Sequence, residues 1–273
     1  MKSKKNKKFT KKNSLPQYNK NRFSLSNEKI KNPSNQNYLI WGKHALEAAI
    51  LNSARKIIKI YHTNEMLVWL QEKLHFSTNF VENLIIVNKK SLDQYSISSP
   101  HQGVMAEVEP LEWQNLDGYL GDEDENKCLV LLDQLTNPQN IGSILRTASA
   151  FEVDGVVVTK RNTPVENGLM ARSSAGAIET MPLIRISNLS RTIEYLKNNN
   201  FLVVGLEKNG AEDIKKISDI SRVALVLGSE NQGLRRLTKE KLSLSVKIPI
   251  AVQTESLNVS TAAAIALYVI KGQ

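Results

Sequence analysis

Downstream of residue 128 the chain is organised as short, continuous apolar runs separated by longer segments with helical periodicity. LVLLD (129–133), GVVVT (155–159), LIRI (183–186), FLVVGLE (201–207), VALVLG (223–228) and SVKIPI (245–250) predict strands. Segments 140–151, 189–199 and 259–270 predict helices between and after them. Unbroken apolar strands alternating with helices predict a mostly parallel sheet covered on both faces. Upstream, YLIWGKHALEAAILN predicts a strand stub and a short helix, KIIKIYH, LIIVN and GVMAEVE predict strands, and EMLVWLQEKL predicts a helix. The periodicity lapses across LEWQNLDGYLGDEDENK, whose Gly118, Gly121 and acid run Asp122, Glu123, Asp124 and Glu125 have a linker's composition. A solvated loop within one domain is the alternative. The expected organisation is a tail over 1–37, an α/β domain over 38–110, a linker over 111–127 and a second α/β domain over 128–273.

Charge changes the picture at one end only. The 273 residues carry a net +9, yet residues 1–37 supply +10 of it, with Glu28 their only acid, and leave the rest at −1. A lysine- and asparagine-rich segment poor in large apolar residues cannot offset its ordering entropy, so it is expected to be disordered when free. Its charge suits a polyanion held by counterion release. A merely solubilising tail and an organelle-targeting segment are the alternatives.

Composition narrows the chemistry. One cysteine, Cys128, permits no internal disulfide and no Cys-based zinc site, and reads as a small buried residue at a strand start. His44, His62, His75 and His101 are scattered without metal-ligand spacing, so no metal is expected. No apolar run reaches the roughly eighteen residues of a membrane span. The amino terminus lacks the apolar core of a secretory signal, so the expected location is the cytoplasm.

Three polar loops follow strands of the second domain: QLTNPQN after LVLLD, SENQG after VALVLG, and AVQTESLN after VKIPI. In an open parallel sheet the ligand crevice lies beyond the strands' carboxyl ends, and all three loops issue there. On a helix beginning near Asn140, Asn140 is the expected cap, Gly142 leaves the first turn open to close approach, and Arg146 lies one turn further on the same face. A helix start with a nearby arginine suits an anion. Singly each loop also reads blandly, as a capped surface helix, a glycine turn, or a cap by Asn258 or Ser260. GSENQGLRR places Leu234 and Arg235 where a P-loop requires Lys and Ser/Thr, and no G-x-G-x-x-G follows a strand.

The motifs N-x-x-N-x-G-x-x-x-R-T-A (Asn137 to Ala148), L-G-S-E-x-x-G-L (Leu227 to Leu234) and I-P-I…E-S-L-N-V-S (Ile248 to Ser260) closely resemble those of the SpoU branch of the SPOUT RNA 2′-O-methyltransferases. The region from YLIWGKHALEAAI to VMAEVEP resembles the L30e-like RNA-binding domain that precedes this catalytic domain in bacterial 23S rRNA guanosine 2′-O-methyltransferases. SSAGAIETMPLIRISNLSRTIEYLK is similar to the subfamily acting on the peptidyl-transferase P-loop guanosine.

The resemblance implies an α/β fold: an L30e-like RNA-binding domain followed by a Rossmann-like parallel sheet with a deep trefoil knot. It implies S-adenosylmethionine as cofactor, bound by main-chain groups of Gly228, Ile248 and Leu257. It implies that Arg146 is the essential arginine, that Asn140, Ser256 and Asn258 orient it and the ribose, and that Glu230 holds the constellation or favours the cationic sulfonium. Because free guanidinium keeps its proton below about pH 12, Arg146 is assigned a phosphate clamp and alkoxide stabiliser in preference to a base. Arg161, Arg172 and Arg235 are candidate phosphate contacts, each singly also reading as a solvated surface charge. Members of the family are homodimers, and the face of the last helix bearing Ile265, Tyr268 and Val269 serves either that contact or the monomer core. The expected partner is RNA, with no membrane and no DNA. Methylation of tRNA is the alternative substrate reading, and a non-catalytic RNA-binding or ribosome-assembly factor is the rival of another class.

Overall fold

The computed structural model describes residues 30, 33, 36–75, 77, 83–96, 100–116, 119–120, 126–218, 220–230 and 232–272. The expectation of a disordered tail, and the acid run Asp122 to Glu125 with Gly118 and Gly121, lie outside the described residues apart from a few positions. Ile30 is one of these: it is buried beside Leu39, Trp41 and Tyr61, and its carbonyl accepts a hydrogen bond from the Tyr95 hydroxyl.

The first domain is a mixed four-stranded sheet. Its elements are β1 (Tyr38–Trp41), α1 (Lys43–Leu51), β2 (Ile57–His62), α2 (Leu67–His75), β3 (Leu84–Ile86), α3 (Lys89–Asp93) and β4 (Val104–Val108), with strand order β1-β4-β2-β3. The second contains β5 (Lys127–Asp133), α4 (Pro138–Ala150), β6 (Gly155–Thr159), α5 (Gly168–Ser174), β7 (Leu183–Ile186), α6 (Leu189–Asn198), β8 (Leu202–Leu206), β9 (Glu212–Asp213), β10 (Arg222–Gly228), α7 (Arg236–Lys239), β11 (Leu244–Lys247) and α8 (Val259–Lys271). Its strands pair in parallel in the order β7-β6-β5-β10-β8-β11-β9. β5 and β10, buried along almost their whole length, are its middle, which is why their sequences show no alternation.

Two expectations about local structure are corrected. Asn137, not Asn140, caps α4: its side chain accepts from the Gln139 amide and Pro138 occupies the first turn, where its missing N–H is not needed. The strand predicted through Ile250 ends at Lys247, and Pro249, which has no ladder donor, lies in the irregular segment beyond it.

One apolar cluster runs through both domains, from Ile40, Leu46 and Ala49 to Met170, Ile178 and Met181. A polar group is buried in the same seam. Arg55 projects from the first domain with no side-chain exposure, and its guanidinium meets two carboxylates of the second: Nη2 lies 2.5 Å from Glu166 Oε1 and 2.9 Å from Glu179 Oε1, and Nε lies 2.9 Å from Glu179 Oε2. Arg55 Nη1 donates to the Glu109 carbonyl at 2.7 Å. Glu166 also accepts from the Tyr38 hydroxyl and, at 3.0 Å, from the Leu111 amide, while Asn52 Nδ2 donates to Glu179 Oε2 at 2.9 Å. The seam burial and the Glu166 carboxylate push the Tyr38 phenol well above its ordinary range. Residues 109–111, where the domains join, are therefore fastened at the interface itself. Just beyond, Gln114 bridges to β7 by two backbone hydrogen bonds, and Arg185 stacks 3.9 Å from the Trp113 ring centroid.

Candidate active site

The candidate site lies at the carboxyl edge of β5, β10 and β11. Gly228 ends β10 directly beside Asp133, the last residue of β5. A Cβ on Gly228 would stand 2.2 Å from the Gly233 carbonyl carbon and 2.4 Å from the Leu234 amide nitrogen, so only glycine lets the loop fold back on its own strand. The return is closed by Ser229 and Gly233, which exchange backbone hydrogen bonds of 3.2 and 2.9 Å, and Glu230 stands exposed at the turn. Asp133 anchors the exit of this loop. It is fully buried and accepts from the Arg235 amide at 3.1 Å, Arg235 Nε at 2.6 Å and Thr238 Oγ1 at 2.7 Å. Asp133 is not among the residues the sequence motifs single out; an acid closing an otherwise apolar strand is its only sequence signal.

A cavity of about 390 Å³ opens between this loop and the segment after β11. Gly228, Glu230, Ile248, Ser256 and Leu257 all line it, although they come from three separated stretches of sequence. Apolar walls are provided by Leu206, Leu227, Ile250 and Val259, and carboxylates by Glu207, Glu230 and Glu255. Lys239 pairs with Glu207 at the rim.

Asn140 and Asn258 stand behind this lining and connect it to two helices. Asn140 Nδ2 donates to Glu230 Oε1, and Asn258 Nδ2 donates to Asn140 Oδ1 at 3.3 Å. Asn258 is simultaneously the cap of α8, accepting from the Ser260 amide at 2.8 Å and hydroxyl at 2.6 Å. Glu230 is thus held by a chain of amides running from the start of α8 through the start of α4.

Arg146 lies elsewhere. It is exposed on α4, about 9 Å along the axis from Asn140, in a second opening shared with His44 and Ala48 of α1. The expectation that Gly142 leaves α4 open to a ligand is corrected as well: its hypothetical Cβ would lie 2.5 Å from the Met170 carbonyl and 2.7 Å from Ser173 Cβ, so the close approach is made by α5. Of the other arginines, Arg235 is engaged by Asp133, Arg172 lies against Gly42 with its Nε buried and without a partner among the described residues, and Arg161 is exposed. On α8 the apolar face is divided. Val269 packs into the core, whereas Ile265 and Tyr268 are 36% and 62% exposed.

Comparison with known proteins gives the family and the fold. Residues 127–268 match the family described as "SpoU rRNA Methylase family", and residues 39–114 match "RNA 2′-O ribose methyltransferase substrate binding". A putative TrmH family tRNA/rRNA methyltransferase of Staphylococcus aureus (strain COL) is 39% identical over 243 residues, covering 84% of this chain and 94% of the relative. Its counterpart in Staphylococcus haemolyticus (strain JCSC1435) is 36% identical over 245 residues, covering 85% and 94%. The crystal structure of the SpoU methyltransferase AviRb from Streptomyces viridochromogenes in complex with AdoMet superposes with a TM-score of 0.72 at 24% identity, covering 85% of this chain and 88% of that one. An AdoMet-bound rRNA methyltransferase from Sinorhizobium meliloti superposes with a TM-score of 0.68 at 24% identity, covering 85% and 86%.

Proposed function

Because the chain belongs to the SpoU rRNA methylase family, we propose that it is an S-adenosylmethionine-dependent ribose 2′-O-methyltransferase acting on a guanosine of 23S rRNA in the cytoplasm, as a homodimer with a knotted catalytic domain. The observation that carries the reading is the convergence of Gly228, Glu230, Ile248, Ser256 and Leu257 on one cavity at the carboxyl edge of a parallel sheet.

The cavity fits the cofactor chemically. Its volume lies in the usual range for small-molecule sites, about 300–1,000 Å³. A flat, hydrogen-bonding base suits backbone groups beside Gly228, Ile248 and Leu257, and a ligand bearing positive charge suits the Glu230 and Glu255 carboxylates, Glu207 being paired with Lys239. When bound, S-adenosylmethionine supplies a methyl carbon activated by attachment to a cationic sulfur.

The protein's own residues must then present a ribose hydroxyl, a weak nucleophile near neutrality, and stabilise the charge it develops. Asn140 and Asn258 fix the Glu230 carboxylate through their amide chain. Ser256, exposed in the cavity wall, would orient the ribose. Arg146, which lies in the second opening, serves as a permanent cation for the neighbouring phosphate, and its reach to the emerging alkoxide rests on the proposed homodimer, whose active sites draw residues from both chains.

One feature favours rRNA over tRNA: the substrate-binding match over residues 39–114. The test is methyl transfer by the purified protein from labelled S-adenosylmethionine to transcripts of 23S rRNA and of tRNA, with the product identified as an alkali-resistant guanosine linkage. Arg146→Ala is expected to lower transfer about 10²–10³-fold, with cofactor affinity retained because Arg146 does not line the cofactor cavity. Transfer to tRNA alone would replace the substrate. No transfer by the unaltered protein would favour a non-catalytic RNA-binding role.

A further inference from the structure

The two openings differ in chemistry. The cofactor cavity carries Glu207, Glu230 and Glu255 together with Lys208 and Lys239. The second opening, of about 400 Å³, lies between α1 of the first domain and α4 and α5 of the second. Its polar lining consists of Arg146, His44 and the hydroxyl residues Ser149, Ser174 and Thr180, and contains no carboxylate. Among the described residues, no hydrogen bond or ion pair is made by the side chain of Arg146 or of His44. By contrast, the exposed Arg236 is paired with Glu240, and Arg235 with Asp133.

This opening is set by the domain seam. The Cβ of Ala48 would lie 2.7 Å from a Cβ built on Gly176, so α1 rests directly on the turn after α5. Gly176 has φ +98°, which favours glycine there on backbone grounds as well. One turn before Ala48, His44 is presented toward the same opening, and the Arg55–Glu166–Glu179 group fastens the two domains together nearby. The helix positions that carry His44 and Arg146 are therefore set by packing and not by a flexible tether.

We propose that this cleft takes the ribose-phosphate chain of the RNA beside the reacting nucleotide, and that His44 is a first-domain RNA contact sharing one phosphate with Arg146. A cation, an imidazole and the Ser149 hydroxyl without an acid suit a phosphate, the Ser174 and Thr180 hydroxyls being turned to the Ala171 and Ala177 carbonyls. The inference deepens the activity proposed above and rests on it for the identity of the RNA. It makes the first domain part of the substrate site itself.

The test is a double-mutant cycle of His44→Ala and Arg146→Ala in the full chain, read as affinity for a 23S rRNA transcript, with cofactor affinity measured in parallel. His44→Ala is expected to weaken RNA binding about five- to tenfold and to leave cofactor affinity unchanged, and His44→Lys is expected to restore RNA binding. If the two side chains share a phosphate, the double variant loses clearly less than the product of the single losses. Multiplicative losses, an unaltered affinity in His44→Ala, or an equal loss of cofactor binding would each overturn the inference. Failure of methyl transfer in the unaltered protein would refute the proposed activity, whereas the cleft is decided by these affinities alone.

Discussion

Replacing Arg55 by leucine tests whether the two domains act as one unit. The Arg55 side chain is completely buried, as is that of Glu166, and that of Glu179 is 1% exposed, so solvent cannot compensate for a lost partner. Arg55→Leu removes three guanidinium contacts to Glu179, one to Glu166 and one to the Glu109 carbonyl, and strands two carboxylates in the seam. Breaking a buried ion pair from one side costs about 3–5 kcal/mol, because the remaining charge is uncompensated. At about 2–4 °C per kcal/mol for a chain of this size, the unfolding midpoint should fall by roughly 6–20 °C. Differential scanning calorimetry is the assay, and the first domain should unfold in a separate, earlier transition once released. A variant that also carries Glu166→Gln and Glu179→Gln should recover much of the loss, since no unpaired charge then remains. A fall of less than about 1 kcal/mol for Arg55→Leu, the value of an exposed pair, would refute the reasoning.

Asp133→Asn places an amide against three donors and should cost about 1–3 kcal/mol of stability while weakening S-adenosylmethionine binding through the 229–234 loop; isothermal titration that finds unchanged affinity would contradict the anchoring role. Cys128 is 2% exposed and its thiol is pushed up to about 12 by burial, so it should resist iodoacetamide in the native protein at neutral pH and react only at the rate of unfolding. His62 is fully buried, and burial lowers its pKa below the ordinary value of about 6.5. The unfolded chain therefore binds that proton more tightly, so stability is complete above about pH 6.5 and falls as pH drops from there toward the folded pKa. His62→Leu should lose less stability than the unaltered protein between about pH 7 and pH 5, and equal losses would refute this assignment.

The sheet of the second domain was legible because its strands are unbroken apolar runs: those at 155–159 and 183–186 have the predicted bounds, and β10 differs by one residue. The α8 cap by Asn258 was legible from an acceptor side chain preceding an alanine-rich helix. α5 was missed. GLMARSS is seven residues of small and mixed character without an amphipathic stripe, and it is helical because it packs on α4 and β1. The cap of α4 was misplaced because both asparagines of NPQN can accept from a helix start, and only the first has an extended conformation in the structure. The convergence of three loops on one edge followed from parallel strands and their carboxyl ends. The seam did not follow: Arg55 has its partners 111 and 124 residues away, and no local pattern distinguishes Glu166 or Glu179 from a solvated acid. For the same reason His44 read as one scattered histidine, since its relation to Arg146 exists only once the domains are packed.

Methylation of a large-subunit guanosine is tested by a 2′-O-methylation map of rRNA and tRNA from cells with and without this protein. Each linkage is read by its resistance to alkaline cleavage. One guanosine mark in 23S rRNA should be lost, and restored by the unaltered protein but not by Arg146→Ala. A complete and unchanged rRNA map, or loss of a mark confined to tRNA, would contradict it.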